Sequence, residues 1–145
     1  MSRAEEGQIA VAKKPSLASI LEAHQTWIAG QGGARAVLIG YDLRGADLRA
    51  VDLRSADLGR ADFAGANLEG ANLRRANLAD ASFVNANLAS ALLGEADLTE
   101  ADLRGADLTG VEFVNVETWR ANLKGAIIAP EELHRLLNCR LPNKK

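Results

Sequence analysis

The chain has 145 residues, a formal net charge of −2 and only 4% aromatic residues, although 48% of its residues are hydrophobic. The low aromatic content excludes a core of large aromatic side chains. The charge balance does not provide the strongly basic face that is typical of nucleic-acid-binding proteins, so we expect no direct nucleic-acid binding. The single cysteine excludes an intramolecular disulfide framework, and neither a secretory signal nor a run of roughly 18 apolar residues is evident, so we expect a cytoplasmic protein without membrane contact.

The N-terminal region is predicted to form an arm followed by a helix. Residues 1–15 are expected to be a flexible arm. Residues 16–35 are predicted to form a capping helix and a glycine-rich linker, because Ser16 is a suitable N-cap, apolar residues recur at helical spacing, and glycines follow from Gly30. His24 lies on the apolar face of this helix and is interpreted as a partly buried lid residue rather than a ligand.

A strict five-residue repeat occupies residues 36–130. Nineteen quintet centres run from Leu38 to Ile128, and all except Thr118 are Leu, Phe or Ile. Two positions before the centre stands Ala in fifteen quintets, and the position before the centre is mostly Asp or Asn. A period of five fits neither a helix nor a flat strand, so each quintet must contain a bend. The pattern predicts one small and one large inward side chain per quintet.

These quintets resemble those of a known family. ADLRG at 101–105, ADLTG at 106–110 and ANLEG at 66–70 are similar to the A(D/N)LxG motif of pentapeptide-repeat proteins. The resemblance implies an all-β solenoid, a right-handed quadrilateral β-helix of about 4.75 coils capped by a short α-helix at each end. With four quintets per coil, residues twenty apart stack on one another. Phe63 and Phe83 are therefore expected to form a ring stack in the core.

Exceptions to the polar outward pattern are the best candidates for an interaction surface. The favoured interpretation packs Trp119 against the C-terminal helix and Ile39 against the N-terminal helix, and the alternative leaves Trp119 as an exposed contact residue. Arginines dominate the N-terminal half of the repeats and acidic residues the C-terminal half, so we also expect charge polarity along the axis. The candidate interaction surface comprises Trp119, Val84, Leu92, Val114, Arg54, Arg74 and Arg75.

Residues 131–145 are predicted to form a C-terminal capping helix and a basic tail. Pro130 suits the first turn of a helix from Glu131 to Leu137. The apolar face of this helix, Leu133, Leu136 and Leu137, has two interpretations. The favoured one is a cap on the last coil of a monomer. In gyrase-targeting members of the family a C-terminal segment joins two solenoids, so a tail-to-tail homodimer stays open as the alternative.

No catalytic, cofactor-binding or metal-binding constellation is evident in the sequence. His134 and Cys139 supply only two candidate ligands, Cys139 has no base partner nearby, and the many Asp residues follow the repeat register. We predict no enzyme activity, cofactor or metal. The resemblance implies a noncatalytic protein-interaction or scaffold module with an unknown protein partner. The alternative is a DNA mimic that binds a type II topoisomerase (gyrase) and affects quinolone sensitivity. The repeats contain nine basic and fourteen acidic residues, so their surface is not as strongly acidic as that of a DNA mimic, which disfavours the alternative.

Overall fold

The structure, a computed structural model, describes residues 15–140 and the side chains of residues 15–136. Helix α1 spans Leu17–Ile28 and helix α2 spans Pro130–Arg140. Between them lies the repeat body, residues 36–128. Residues 1–14 of the predicted arm, residues 141–145 of the predicted tail, and the side chains of Leu137 and Cys139 lie outside the described part of the chain.

Successive coils of the repeat body stack at a spacing of twenty residues. From Val37 to Asp107 the residue before every centre except Leu93 pairs in parallel with the residue twenty positions later, as Asp47 does with Asn67 and Asn67 with Asn87. From Leu38 to Leu108 the N–H of every centre except Leu93 donates to the carbonyl nineteen positions later, and the bond from Leu48 to Asn67 measures 2.8 Å. Four quintets therefore complete one coil, and the predicted twenty-residue stacking is confirmed.

The coils pair through single-residue bridges, and no continuous strand forms between residues 15 and 140. The cause is a turn in every regular quintet: the Ala46 N–H, for example, donates to the Leu43 carbonyl at 3.1 Å. Two of each five residues belong to this turn, which leaves too few extended residues for a strand. The described repeat body is thus built of parallel bridges and turns rather than of continuous strands.

The core is a column of quintet centres lined by alanines. From Leu38 to Phe113 every centre is buried, and the alanines between them let neighbouring sides approach closely. The rings of Phe63 and Phe83 lie parallel with their centroids 4.9 Å apart. Thr118 is buried where the earlier coils carry leucine. Burial of each large side chain contributes about 1.5–3 kcal/mol, so the column is the main source of stability.

The Asp or Asn before each centre caps the turn that follows it. In thirteen quintets its side-chain oxygen accepts the N–H of the residue two positions later, at 2.9 to 3.4 Å. In one example Asp62 accepts from the Ala64 N–H at 3.0 Å. Only a short side chain with a terminal oxygen reaches that amide, which explains the preference for Asp and Asn.

Helix α1 covers the first coil. Ser16 accepts the N–H of Ser19 at 3.1 Å, which confirms the predicted N-cap. Leu17, Ile20 and Leu21 pack against the core, as the helical spacing predicts. Side chains and the linker then tie α1 to the repeat body. Because the lid closes over the first coil, the exposed edge that every stack of repeats must protect is covered at this end.

Helix α2 covers the other end and runs three residues beyond the predicted Leu137. Leu136 is buried in the core, whereas Leu133 is exposed. The Phe113 N–H donates to Oε2 of Glu132 at 3.0 Å. Residue 132 lies nineteen positions after Phe113, where a further coil would offer its backbone carbonyl. A side-chain carboxylate therefore replaces the missing coil as hydrogen-bond acceptor.

Candidate protein-interaction site

A groove of about 850 Å³ crosses one side of the repeat body near the end of α1. Trp27 and Ile28 contribute to it from α1. Val84 and Trp119, two of the predicted interaction residues, do not line it. The other five predicted interaction residues are brought together there: Leu92, Val114, Arg54, Arg74 and Arg75.

The groove presents apolar side chains to solvent. Leu92 is 39% exposed, Val114 is 45% exposed and Trp27 is 39% exposed. Leu92 stands in the position that Asp or Asn occupies in most other quintets, where the side chain points away from the core. Three exposed apolar side chains around one depression are typical of a binding surface.

Two of the three groove arginines are engaged in ion pairs, and the third is not. Arg54 Nη2 lies 2.9 Å from Asp52 Oδ2, and Arg75 Nε lies 3.2 Å from Glu95 Oε2. Arg74 has no ion pair among the described residues. Its guanidinium is therefore the cation of this groove that has no carboxylate partner within residues 15–136.

The groove lies at an interruption of the hydrogen-bond ladder. Between residues 37 and 127, the bridge expected between Leu92 and Glu112 is the one that is missing. The Leu93 N–H also makes no bond to the Glu112 carbonyl within the described chain. One coil further on the same side, the N–H of the centre Phe113 donates to the side chain of Glu132 in α2. The coil that is bonded to α2 is thus the same coil that lacks its backbone bonds to Leu92 and Leu93 beside the groove.

Two turns in the groove lack the usual cap. Gly94 and Val114 occupy the position whose N–H is accepted by an Asp or Asn oxygen in thirteen other quintets. The side chain of Leu92 has no acceptor atom, and the carboxylate of Glu112 does not accept the Val114 N–H. Neither the Gly94 nor the Val114 amide therefore has an acceptor within residues 15–140. Sequence reasoning had marked Leu92 as an exposed apolar residue. Leucine at this position also removes the side-chain oxygen that caps the turn, and the sequence pattern contains this signal as well.

Trp119 is not covered by α2, so the favoured sequence interpretation is wrong. Its side chain is 60% exposed, and the guanidinium carbon of Arg120 lies 5.1 Å from the centroid of its ring. Thr118 points inward before it, and the outward register carries the indole away from the repeat body. Ile39 is likewise exposed rather than packed beneath α1, while Val84 is half-buried.

Three arginines elsewhere on the repeat body, Arg44, Arg49 and Arg104, are held by the Asp two positions earlier. Arg44 Nη2 lies 2.8 Å from Asp42 Oδ2, and Arg49 Nη2 lies 2.8 Å from Asp47 Oδ2. The side-chain hydrogen bond from each arginine lowers the pKa of its Asp partner to about 2. Each of these ion pairs has no net charge, so these arginines add little to the charge polarity that is expected along the axis.

His24 has a structural position beneath α1. Its ring is fully buried, its Nδ1 accepts the Ala36 N–H at 3.0 Å, and no hydrogen-bond partner of its Nε2 is found among the described residues. The ring also stacks on Trp27 with centroids 5.4 Å apart. Burial lowers the pKa of His24, and the negative charge of Asp52 opposes that shift. His24 therefore supports the groove wall in its neutral form.

The described part of the chain contains neither a candidate metal site nor a helix that could span a membrane. No cluster of three or more His, Cys, Asp or Glu side chains is arranged there to hold a metal ion. No helix between residues 15 and 140 is long and apolar enough to span a bilayer. The chemistry that the groove itself offers is apolar contact, one unpaired guanidinium and uncapped backbone N–H groups.

Comparisons with known proteins agree with the repeat. HetL, a pentapeptide repeat protein involved in heterocyst differentiation regulation from the cyanobacterium Nostoc sp. strain PCC 7120, is 36% identical over 68% of this chain and 49% of its own, with a TM-score of 0.48. The chain thus spans about half the length of HetL. A second pentapeptide repeat protein of that organism is 33% identical, over 79% of this chain and 78% of its own, with a TM-score of 0.39.

The plasmid-mediated fluoroquinolone resistance protein QnrB1 is more distant, with 22% identity over 63% of this chain and 55% of its own and a TM-score of 0.23. Comparison with curated proteins found no match. The model of the family "Pentapeptide repeats" matches residues 34–70, 56–93, 81–117 and 91–128, which overlap to cover most of the chain. The chain therefore belongs to the pentapeptide-repeat family.

Proposed function

We propose that this protein is a noncatalytic protein-interaction module that receives a partner protein in the groove. The observation that carries the proposal is the convergence of Leu92, Val114 and Arg74 with Trp27 of α1 in one depression. Apolar anchors surrounded by charged side chains are typical of protein interfaces. We further propose that the protein acts in the cytoplasm.

The stacked coils suit such a role because they hold the groove residues on a rigid frame. A regular quintet is tied to the coils on both sides by backbone hydrogen bonds: the Asn72 N–H donates to the Val51 carbonyl of the coil before it, and the Leu73 N–H donates to the Leu92 carbonyl of the coil after it. A preformed surface loses little conformational entropy when a partner binds. We propose that these coils wind as the right-handed quadrilateral β-helix that the family resemblance implies.

A quantitative pull-down from the native host tests the proposal. Val114→Asp and Arg74→Glu change exposed groove side chains without touching the core, so each is expected to fold normally and to lose a specific partner. Trp119→Ala is the control, because Trp119 is also exposed but lies outside the groove. Partners recovered equally by the wild type and by both groove variants would show that the groove is not the docking surface.

The DNA-mimic alternative has a separate test. The pairing of Asp42 with Arg44 and of Asp47 with Arg49 argues against an unbroken acidic surface. We therefore expect no change in gyrase supercoiling activity at micromolar protein concentration and low salt, where mimicry by acidic groups is strongest. Inhibition of supercoiling under those conditions would favour the alternative function over the groove proposal.

A further inference from the structure

We infer that the groove recognises an Asp or Glu side chain in an extended segment of the partner protein, with an apolar residue next to it. The carboxylate is bound by the Gly94 N–H and the Arg74 guanidinium. The apolar neighbour packs on Leu92 and Val114. This inference rests on the proposed function and adds the chemistry of the ligand.

The protein contains a related arrangement within its own chain, in which the turn amide and the guanidinium belong to one arginine, whereas at Gly94 the guanidinium comes from Arg74 in the preceding coil. At Asp102, one carboxylate oxygen accepts the Arg104 N–H at 3.2 Å and the Arg104 Nε at 2.8 Å, and the other accepts Nη2 at 2.7 Å. Asp42 and Asp47 bind Arg44 and Arg49 in the same way. A turn amide together with a guanidinium is therefore a carboxylate site that this repeat builds several times.

At Gly94 the protein has the two donors but no carboxylate. Leu92 occupies the position of the accepting Asp, so the Gly94 N–H is uncapped. The side chain of Arg74 lies alongside, with its Cγ 3.9 Å from the place where a Cβ on residue 94 would stand. Because residue 94 is glycine and Arg74 has no ion pair, an incoming carboxylate meets an open amide and an available cation. Charge-assisted hydrogen bonds of this kind are strong and directional.

The other groove residues favour a peptide over a nucleic acid. Glu95 and Glu112 line the same depression, so a polyanion such as a phosphate backbone meets repulsion there. A single carboxylate meets less repulsion than a polyanion, because Glu95 is paired with Arg75 and one charge, unlike a chain of phosphates, can bind beside Arg74 without extending along Glu112. The exposed Leu92 and Val114 add a preference for an aliphatic side chain beside the carboxylate.

An NMR titration tests the inference with two blocked pentapeptides, acetyl-Gly-Leu-Asp-Leu-Gly-amide and the same peptide with Asn in place of Asp. The Asp peptide is expected to shift the Gly94 and Val114 amide signals in a saturable way, with the Gly94 proton moving downfield. The Asn peptide should bind at least about tenfold more weakly, because it offers no charge to Arg74. Equal affinity of the two peptides, or no saturable shift at millimolar concentration, would overturn the inference.

Two variants connect the binding to the named residues. Leu92→Asn restores the residue type found in several other quintets and supplies an internal acceptor for the Gly94 N–H, so it should fold and lose at least about tenfold in affinity for the Asp peptide. Arg74→Gln should lose a similar factor, and Arg104→Gln, at the same quintet position on another side, should lose none. Unchanged binding by Leu92→Asn, or a stronger response of the same amides to an oligothymidylate, would reject the carboxylate site.

The outcomes also separate this inference from the proposed function. If the groove variants lose their partner in the pull-down but the Asp and Asn peptides bind alike, the docking surface stands and the carboxylate chemistry is rejected. If the Asp peptide binds selectively but partner recovery is insensitive to Val114→Asp and Arg74→Glu, the groove is a carboxylate site and the proposed function is rejected.

Discussion

Single residues decide two properties of this fold, and His24 is the first. Its Nδ1 accepts the Ala36 N–H, so the buried ring must be neutral with its proton on Nε2. Asp52, Arg54 and Arg35 are the charged groups that act on it, and burial is the dominant influence. Protonation would place a second N–H of the ring against the Ala36 amide and would remove the hydrogen bond that Nδ1 accepts.

We predict that the free energy of unfolding falls as the pH drops below about 6.5, the ordinary pKa of histidine. The folded pKa of His24 is lowered, so the unfolded chain binds a proton that the folded chain rejects, and stability is lost until the lowered pKa is reached. Above about pH 6.5 this contribution is fully present. Urea unfolding between pH 5 and 8 measures it. His24→Gln should flatten the slope and the exposed His134→Gln should keep it; an unchanged slope in His24→Gln contradicts the prediction.

The last residue of each turn decides the second property, the strain stored in the backbone. All eighteen such positions from 40 to 125 have positive φ, and seven are glycine while eleven are not. Ala50 has φ of 55° and Gly45 has φ of 66°. A Cβ at Gly45 would meet no heavy atom within 4 Å, so only backbone strain distinguishes the two residue types there.

We therefore expect Ala50→Gly to stabilise the protein by about 0.5–1 kcal/mol. Glycine removes the strain of the left-handed backbone, and this gain exceeds the cost of the additional entropy that glycine gives to the unfolded chain. Gly45→Ala should destabilise it by a similar amount. The pair is measured by chemical denaturation at neutral pH. Shifts of the same sign in both variants would mean that strain at the turn does not control stability.

At the scale of elements, the attachment of α1 depends on Gly33. The Ala34 N–H donates to the Ala23 carbonyl at 3.1 Å, which brings the linker back against the helix. A Cβ at Gly33 would overlap the Ala23 carbonyl oxygen and would lie 2.8 Å from Thr26 Cβ. Backbone cannot give way as a side chain can, so the helix itself must move.

Gly33→Ala should accordingly destabilise the protein by about 1–3 kcal/mol more than Gly32→Ala, because the two share the strain of positive φ but only Gly33 also has a steric clash. Thermal unfolding gives the difference, and increased tryptophan exposure reports movement of Trp27. Equal destabilisation by both variants would show that the linker is not packed against α1.

Helix α2 depends in turn on Glu132. Its carboxylate accepts the Phe113 N–H and lies 3.4 Å from Arg135 at its other oxygen. Glu132→Ala leaves the buried Phe113 amide without an acceptor, and we expect a loss of about 1–3 kcal/mol. Glu132→Gln keeps an acceptor and should cost less, and the exposed Glu131→Ala is the control. Hydrogen exchange at Phe113 should quicken only in Glu132→Ala; slow exchange there contradicts the role.

The sequence predicted these elements unevenly. Ser16 and Pro130 mark helix starts because caps and first-turn prolines act locally. The inward register followed from the five-residue period alone. The interruption at Glu112 was not predictable, because an acidic residue at that position looks regular and the departure depends on Glu132, twenty residues further along. The Nδ1 bond of His24 likewise depends on how the linker returns to the first coil.

At the scale of the whole molecule, both ends of the repeat body are covered by the chain itself. Leu136 is buried and Glu132 is nearly so without any second copy. We therefore propose a monomer and expect light scattering after size exclusion to give a mass near 15.4 kDa. A mass twice as large that reverts to monomer in Leu133→Glu would support the tail-to-tail dimer instead, since Leu133 is the exposed leucine of α2.

The twenty-residue stacking has a consequence for how this gene can change in length. Deleting or duplicating twenty residues within the repeat body returns the chain to the same side of the coil, whereas a change of five residues rotates everything after it by one side. An in-frame change of one coil alters the length by about 4.8 Å, the spacing of paired backbones. Whole-coil duplications placed before Arg54 would carry α1, with Trp27 and Ile28, away from the groove residues of the repeat body. The distance between α1 and those residues can therefore change only in steps of one coil.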